Sequence, residues 1–299
     1  METIDQIRIN FDPDKLFVLN LCLAFLMFGV ALDMQLHNFR KLGSRPRALL
    51  VGLSSQLLLL PLLTLVLIYL FKPVPSLALG MILVAACPGG NVSNYAVHLA
   101  RANIELSVVL TSISSMSSLL VTPLYFFVLS GFLPTGETAG DININVHPGD
   151  MLLTLIQLIF IPVALGLLIQ NRFPVLAAQL KKPVQNLSMV VFLALILAAL
   201  ASNYQQIKDY LHLVFILVIV HNLVALSGGY AWSRLLRLPV ADARTIALET
   251  GIQNSGLGLV IIFSFFDGLG GMALIAAWWG IWHLISAFAL ALFWRSRGA

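Results

Sequence analysis

Long apolar runs, most of them 20 residues or more, alternate along nearly the whole chain with short charged or Pro/Gly-bearing connections. A bilayer core takes about 20 apolar residues as helix. On that scale the pattern predicts an all-α polytopic membrane protein with nine transmembrane helices, at approximately 15–35, 46–71, 76–100, 103–131, 149–170, 183–202, 210–233, 240–265 and 272–294. Two of these runs carry polar, glycine-bearing interruptions. The third contains Cys87-Pro88-Gly89-Gly90-Asn91-Val92-Ser93-Asn94, and the eighth contains Glu249-Thr250-Gly251-Ile252-Gln253-Asn254-Ser255-Gly256. Hydrocarbon offers no hydrogen bonds to an opened backbone or to a carboxylate, so such segments must face protein or a water-filled cavity. They mark a transport site.

Composition agrees with a bilayer setting. Of the 299 residues 59% are hydrophobic and 10% charged, where a soluble domain carries about a quarter charged residues. The net charge of +4 does not argue for nucleic acid, because the basic residues are scattered through short loops instead of gathered on one face. Cys22 and Cys87 both fall in apolar stretches and read as small packed side chains, not as a disulfide. The first 14 residues are polar and acidic (Glu2, Asp5, Asp12, Asp14) and lack the pattern of a cleavable signal. Of the 17 Lys and Arg residues, all but Arg8, Lys15, Lys72 and Lys208 fall on one side of the nine-span topology. The positive-inside rule then sets the N-terminus outside and the C-terminus in the cytoplasm of a plasma membrane, with the acidic loop of Glu137, Asp141 and Asp150 external.

The interruptions lie five spans apart, so the third and eighth helices run in opposite directions through the membrane. Two similar broken helices of opposed direction are the signature of an inverted-repeat transporter with its site at the bilayer midplane. Pairing spans one to four with six to nine leaves the fifth without a partner, as if the first repeat had lost its opening helix.

Glu249 is the one acidic residue near the middle of a span, since Asp33, Glu105 and Asp242 fall near cytoplasmic ends. A carboxylate there costs several kcal/mol unless paired, and no Lys or Arg lies at its depth. A bound cation is one partner; a protonated, hydrogen-bonded structural glutamate is the bland alternative. Gln253 shares its face if the helix persists, and unwound carbonyls of Thr250 and Ile252 add oxygens if it breaks at Gly251. In the fourth span Ser107, Thr111, Ser114, Ser118 and Thr122 draw a hydroxyl stripe at helical spacing. Interhelical packing explains most of such a stripe. Hydroxyl and amide oxygens around one carboxylate suit Na⁺ better than zinc, and His98, His221 and His283 are too dispersed for a zinc site. Trp278, Trp279 and Trp282 lie deep in the ninth span and read as packing residues; the sequon Asn91-Val92-Ser93 lies inside a span, out of reach of glycosylation.

The joint pattern of the two interruptions with Leu106-Ser107-Val108 and Thr111, at their mutual spacing, resembles the bile acid:sodium symporter family over nearly the whole chain. The resemblance implies a ten-helix fold, or nine where the first helix is absent. It is divided into a core of about 46–131 and 210–294 and a panel of about 15–35 and 149–202, with two crossed discontinuous helices in the core. It implies one sodium held by Ser93, Asn94, Ser107, Thr111 and Glu249, and a second by Gln56, Glu249, Gln253 and the carbonyls of Thr250 and Ile252. Substrate, an organic anion, is expected near Asn91, Val92, Asn254 and His283. Bacterial relatives often carry His-Asn where this chain has His283-Leu284, which removes one amide from that site. Read this way, the chain is a sodium-coupled symporter importing a bile acid or small carboxylate by alternating access. A proton-coupled carrier or sodium/proton exchanger using Glu249 is the alternative. No G-x-S-x-G, H-E-x-x-H or paired intramembrane aspartates point to an enzyme, and no feature calls for an obligatory protein partner.

Overall fold

The computed structural model describes residues 4–9, 13–32, 46–90, 92–133, 148–202 and 204–297, and every extended element among them is a helix. In chain order these are α1 (Pro13–Ala31), α2 (Pro46–Ser54, Ser55–Leu59 and Leu60–Phe71), α3 (Pro75–Ala86), α4 (Val92–Leu99) and α5 (Ile104–Ser130). They continue as α6 (Pro148–Leu155, Ile156–Phe160 and Ile161–Arg172), α7 (Pro174–Ser202), α8 (Leu211–Leu235), α9 (Val240–Gly251), α10 (Ser255–Phe265) and α11 (Gly270–Ser296). Among the described residues, five helices are long and apolar enough to cross a membrane: α2, α6, α8 with its lead-in, α5 and α11. Leu16–Gly29, α3 and α10 are shorter apolar helices. Large apolar side chains such as Leu62, Val66, Leu124, Phe127 and Ile216 line the outside, as they must in a multi-pass membrane protein.

Both expected interruptions are breaks in helix. The third span stops at Ala86 and restarts at Val92, and the eighth stops at Gly251 and restarts at Ser255. The loop expected before residue 183 is helical instead. Helix α7 begins at Pro174 and runs through Lys181, Lys182 and Pro183. Pro183 removes the donor to the Gln179 carbonyl, but residues around it are exposed, so the lost bond costs little where water can replace it. Asp33 and the loop residues Arg40, Lys41 and Arg45, like the acidic Glu137 and Asp141, lie outside the described residues.

Two helices widen into π-turns, at Ser55–Leu59 in α2 and Ile156–Phe160 in α6. In each a proline, Pro61 or Pro162, follows within two residues of the π segment. Without an N–H to donate, and with a ring that crowds the preceding turn, proline favours such a bulge. In α2 the widened turn carries Ser55 and Gln56, both buried.

Helices on either side of the two breaks match in length. Helices α3 and α9 each have 12 residues, and α5 and α11 each have 27. Among the described residues the non-glycine positions with positive φ are Lys72, Arg101, Arg237 and Asp267. Each stands three residues before one of those four helices, so the turns α2–α3, α8–α9, α4–α5 and α10–α11 place a left-handed residue at the same position, with Gly268 adding a second in α10–α11.

Helices α1, α6 and α7 pack on one another. Gly166 of α6 approaches so closely that a Cβ there would lie 2.6 Å from Ala31 of α1, and Gln185 of α7 donates to the Gly29 carbonyl of α1 at 2.8 Å. The remaining helices gather around α3, α9 and α11. Ahead of α1, residues 4–9 form a strap over this second group, with Ile4, Ile7 and Ile9 buried. Gly270 N donates to the Ile7 carbonyl at 2.9 Å, Ile9 N to the Gly268 carbonyl at 2.8 Å, and Asp5 Oδ1 accepts from Ser76 N at 2.9 Å in the first turn of α3. Asp5 thus supplies a capping carboxylate to α3 from outside the helix. Asp5→Ala is expected to cost about 1 kcal/mol and to lose hydrogen-exchange protection at the N-terminal turn of α3. Unchanged protection there would show that the cap is not used.

Candidate functional site

The centre of the molecule is the Glu249 side chain, fully buried in the last turn of α9. Its partners are hydroxyls from two other helices and, at longer range, an amide from a third. Ser93 of α4 donates to Oε1 at 2.5 Å, Ser107 of α5 also donates to Oε1, and Thr111 lies 3.0 and 2.9 Å from the two carboxylate oxygens. Asn94 Oδ1 accepts from Ser107 at 2.8 Å, and Ser93 and Thr111 stand 3.3 Å apart. All five residues expected for the first ion site therefore meet. Their oxygens outnumber their hydroxyl protons, and the carboxylate's partners are all neutral hydrogen-bonding side chains.

The register that brings them together is fixed one turn away. Asn103 caps α5 by accepting from Leu106 N at 3.1 Å, while its own N–H donates to Thr245 Oγ1 at 2.9 Å and its amide to Asp242 at 2.8 Å. Asn103 precedes Ser107 by four residues, as Thr245 precedes Glu249. The Asn103–Thr245 pair therefore sets the height at which the hydroxyl face of α5 meets the carboxylate.

The residues expected for the second ion site form the other wall. Gln56 Nε2 donates to the Glu249 carbonyl at 2.9 Å and approaches Oε2 at 3.5 Å; Gln253 Nε2 donates to the Thr250 carbonyl at 2.9 Å. The Oε1 atoms of both glutamines are buried with no hydrogen-bond partner. Two acceptors left unsatisfied beside a buried carboxylate are a costly arrangement that a cation would relieve. Groups of His, Cys, Asp and Glu able to hold a metal do not occur among the described residues, so the donor set is oxygen from hydroxyl, amide, carbonyl and a single carboxylate, as a hard cation prefers.

The two helix breaks touch. Gly89 pairs with Gln253 in an antiparallel bridge, Gly90 N donates to the Ile252 carbonyl at 3.0 Å, and Asn254 N donates to the Pro88 carbonyl at 2.8 Å. Asn254 also caps α10 by accepting from Leu257 N at 3.1 Å, and its amide nitrogen faces Met27 Sδ of α1 at 4.0 Å. Val92 opens α4 half-buried, packed on the cluster containing Ile252. His283 of α11 is buried, with Nδ1 unpartnered, and Asn91 lies outside the described residues.

Several residues that hold the site together carried no distinct signal in the sequence. Ser55 meets Thr250, hydroxyl to hydroxyl, at 2.7 Å. Asn222 of α8 donates to the Gly251 carbonyl at 2.8 Å and accepts from Ser286 of α11 at 2.6 Å. The hydroxyl stripe of α5 does more than pack: Ser114 accepts from Gly89 N at 3.2 Å and Thr122 donates to the Ala86 carbonyl at 2.8 Å, satisfying backbone freed by the break. His221, among the dispersed histidines, is fully buried and bonded through Nε2 to Thr64 at 2.7 Å.

Residues 20–210 match the model of the sodium bile acid symporter family. The chain belongs to this family. It is 30% identical over 92% of its length, and 82% of the relative's, to a Bacillus subtilis (strain 168) protein named "Uncharacterized sodium-dependent transporter YocS". It is 29% identical to the Oryza sativa subsp. japonica protein named "Probable sodium/metabolite cotransporter BASS2, chloroplastic", over 92% of this chain and 63% of that relative. To the "Ileal sodium/bile acid cotransporter" of Cricetulus griseus it is 27% identical, over 82% of this chain and 68% of the relative. These similarities agree with sodium-dependent transport across a membrane.

The closeness of Gly89 to that cluster is testable. A Cβ at Gly89 would lie 2.9 Å from Gln56 Nε2 and 3.1 Å from Glu249 Oε2, whereas one at Gly258 meets nothing nearer than Cys87 Sγ at 3.6 Å. Gly89→Ala is expected to destabilise by about 1–3 kcal/mol in detergent unfolding, while Gly258→Ala leaves the melting temperature unchanged.

Proposed function

We propose that the chain is a sodium-coupled symporter that imports an organic anion by alternating access, with Glu249 as the fixed charge shared by two sodium sites. The observation that carries the reading is the pair of orphaned Oε1 atoms of Gln56 and Gln253 beside a buried carboxylate whose partners are all neutral. The first sodium takes Ser93, Asn94, Ser107, Thr111 and Glu249. The second takes Gln56, Glu249, Gln253 and the carbonyls of Thr250 and Ile252. Exchange of protons alone at Glu249 leaves the glutamine oxygens without a purpose, which disfavours the proton-coupled alternative.

In this reading the chain has nine spans, with α3–α4 and α9–α10 as the crossed discontinuous helices of an inverted repeat. The core comprises α2–α5 and α8–α11, and the panel α1, α6 and α7. The plasma membrane is crossed with the N-terminus outside and the C-terminus in the cytoplasm. The anion, a bile acid or a small carboxylate metabolite, sits at the crossover near Asn91, Val92, Asn254 and His283, where the panel residue Met27 already meets Asn254. The positive dipole end of a half-helix, at the start of α4, suits its carboxylate or sulfonate. Two sodium ions, one glutamate and one monoanion leave the loaded site neutral and cheap to reorient. One net positive charge then moves inward per cycle, worth about 2.3 kcal/mol per 100 mV of inside-negative potential.

A melting-temperature screen of bile acids and small carboxylates, run in Na⁺ and in K⁺, tests the assignment. Sodium alone is expected to stabilise the wild-type protein, a cognate anion to stabilise it further only in sodium, and Glu249→Gln to lose the sodium response. A sodium response that survives in Glu249→Gln overturns the proposal.

A further inference from the structure

The last turn of α9 and the residues after it present four consecutive carbonyls, each with its own donor. Glu249 accepts from Gln56 Nε2, Thr250 from Gln253 Nε2, Gly251 from Asn222 Nδ2 and Ile252 from Gly90 N. Three of those donors belong to the two helix breaks and to the π-turn of α2. Asn222 is the exception, reaching in from α8, and the carbonyl it holds lies between the two assigned to the second sodium.

We propose that Asn222, oriented by Ser286, is a positioning residue for the second sodium site, an inference that rests on the sodium reading above. Asn222 is buried, and its amide has one usable orientation. Ser286 Oγ donates to Oδ1 at 2.6 Å, which turns Nδ2 onto the Gly251 carbonyl at 2.8 Å. Where a helix unwinds, successive carbonyls no longer point the same way. Anchoring the Gly251 carbonyl toward α8 leaves the carbonyls of Thr250 and Ile252 to the donors of the two helix breaks, Gln253 Nε2 and Gly90 N. Two glycines let α8 come close enough for so short a side chain to reach. A Cβ on Gly251 would lie 2.3 Å from Leu226, and one on Gly229 2.9 Å from Thr250 Oγ1. The same hydrogen bond satisfies a carbonyl that has no helical partner, so the chemistry is that of an outer-shell group that fixes the direction of metal ligands without touching the metal.

The test is a NaCl titration of melting temperature at constant ionic strength, in detergent, for wild type, Asn222→Ala, Asn222→Asp, Ser286→Ala, Ser286→Thr and Glu249→Gln. Loss of an outer-shell partner typically weakens metal affinity about 10- to 100-fold. Asn222→Ala and Asn222→Asp are therefore expected to raise the sodium midpoint at least about tenfold and to flatten the titration toward one-site behaviour. Ser286→Ala gives a smaller rise in the same direction, and Ser286→Thr, which keeps the hydroxyl, restores the wild-type midpoint. A packing role alone lowers the melting temperature in NaCl and KCl alike and leaves the sodium midpoint within twofold of wild type, which overturns the inference. Should the Asn222 variants fail to fold, the Ser286→Ala and Ser286→Thr pair decides by the same criterion. Loss of the sodium response in Glu249→Gln with a wild-type midpoint in Asn222→Ala removes only the positioning role. Retention in Glu249→Gln removes the sodium reading itself.

Discussion

A carboxylate held in the middle of an apolar bundle without a basic partner is the constraint from which the rest of the architecture follows. Burying an unpaired charge is prohibitive, and burying a neutral acid in its place still demands partners for every oxygen. Glu249 meets that demand with hydroxyls from two helices and an amide from a third. Those three helices must then arrive at one point. The break that frees Ser93 and Asn94, the π-turn that swings Gln56 inward and the Asn103–Thr245 latch that sets the height of α5 are separate solutions to that single geometric problem.

Opening two helices creates a second debt, since each break exposes backbone groups that a continuous helix would have satisfied. The two debts are settled largely against each other. Pro88, Gly90, Ile252 and Asn254 exchange backbone hydrogen bonds across the breaks, and the hydroxyl face of α5 takes up Gly89 and Ala86. Glycine at positions 89 and 90 keeps the breaks close enough to bond, with a Cβ at Gly90 only 3.2 Å from Ile252. Pro88, Gly89, Gly90, Ile252 and Asn254 thus have partners for backbone groups while the Oε1 atoms of Gln56 and Gln253 are left over, and this imbalance is what a cation can use.

Much of this was legible in the sequence. A lone glutamate within an apolar run, glycine at both interruptions and hydroxyls at helical spacing each reflect a local rule, and the residues expected around Glu249 do meet there. What escaped were partners whose significance depends on which helices lie next to which. Asn222, Ser286 and Ser55 are ordinary polar residues in apolar helices until the breaks are set beside them. The strap escaped for another reason: Ile4, Ile7 and Ile9 alternate with acidic and basic neighbours, and the acidic composition of that stretch outweighed its apolar pattern. The helix of the sixth span begins at Pro174, ahead of the apolar run, because an exposed helix tolerates both Lys181-Lys182 and Pro183.

The four turns that precede α3, α5, α9 and α11 rest on a lysine, two arginines and an aspartate in a left-handed conformation that glycine adopts more cheaply. Holding a side chain there costs on the order of 1 kcal/mol per turn. A glycine would ease the backbone but would have nothing to hold at the boundary between lipid and water. All four side chains are exposed, and a charged residue resists burial, so each bend keeps the chain at the surface just before the helix that follows. Each half of the two broken helices that opens at one of these bends, α3 and α9, is thus led in by an exposed cation that resists burial.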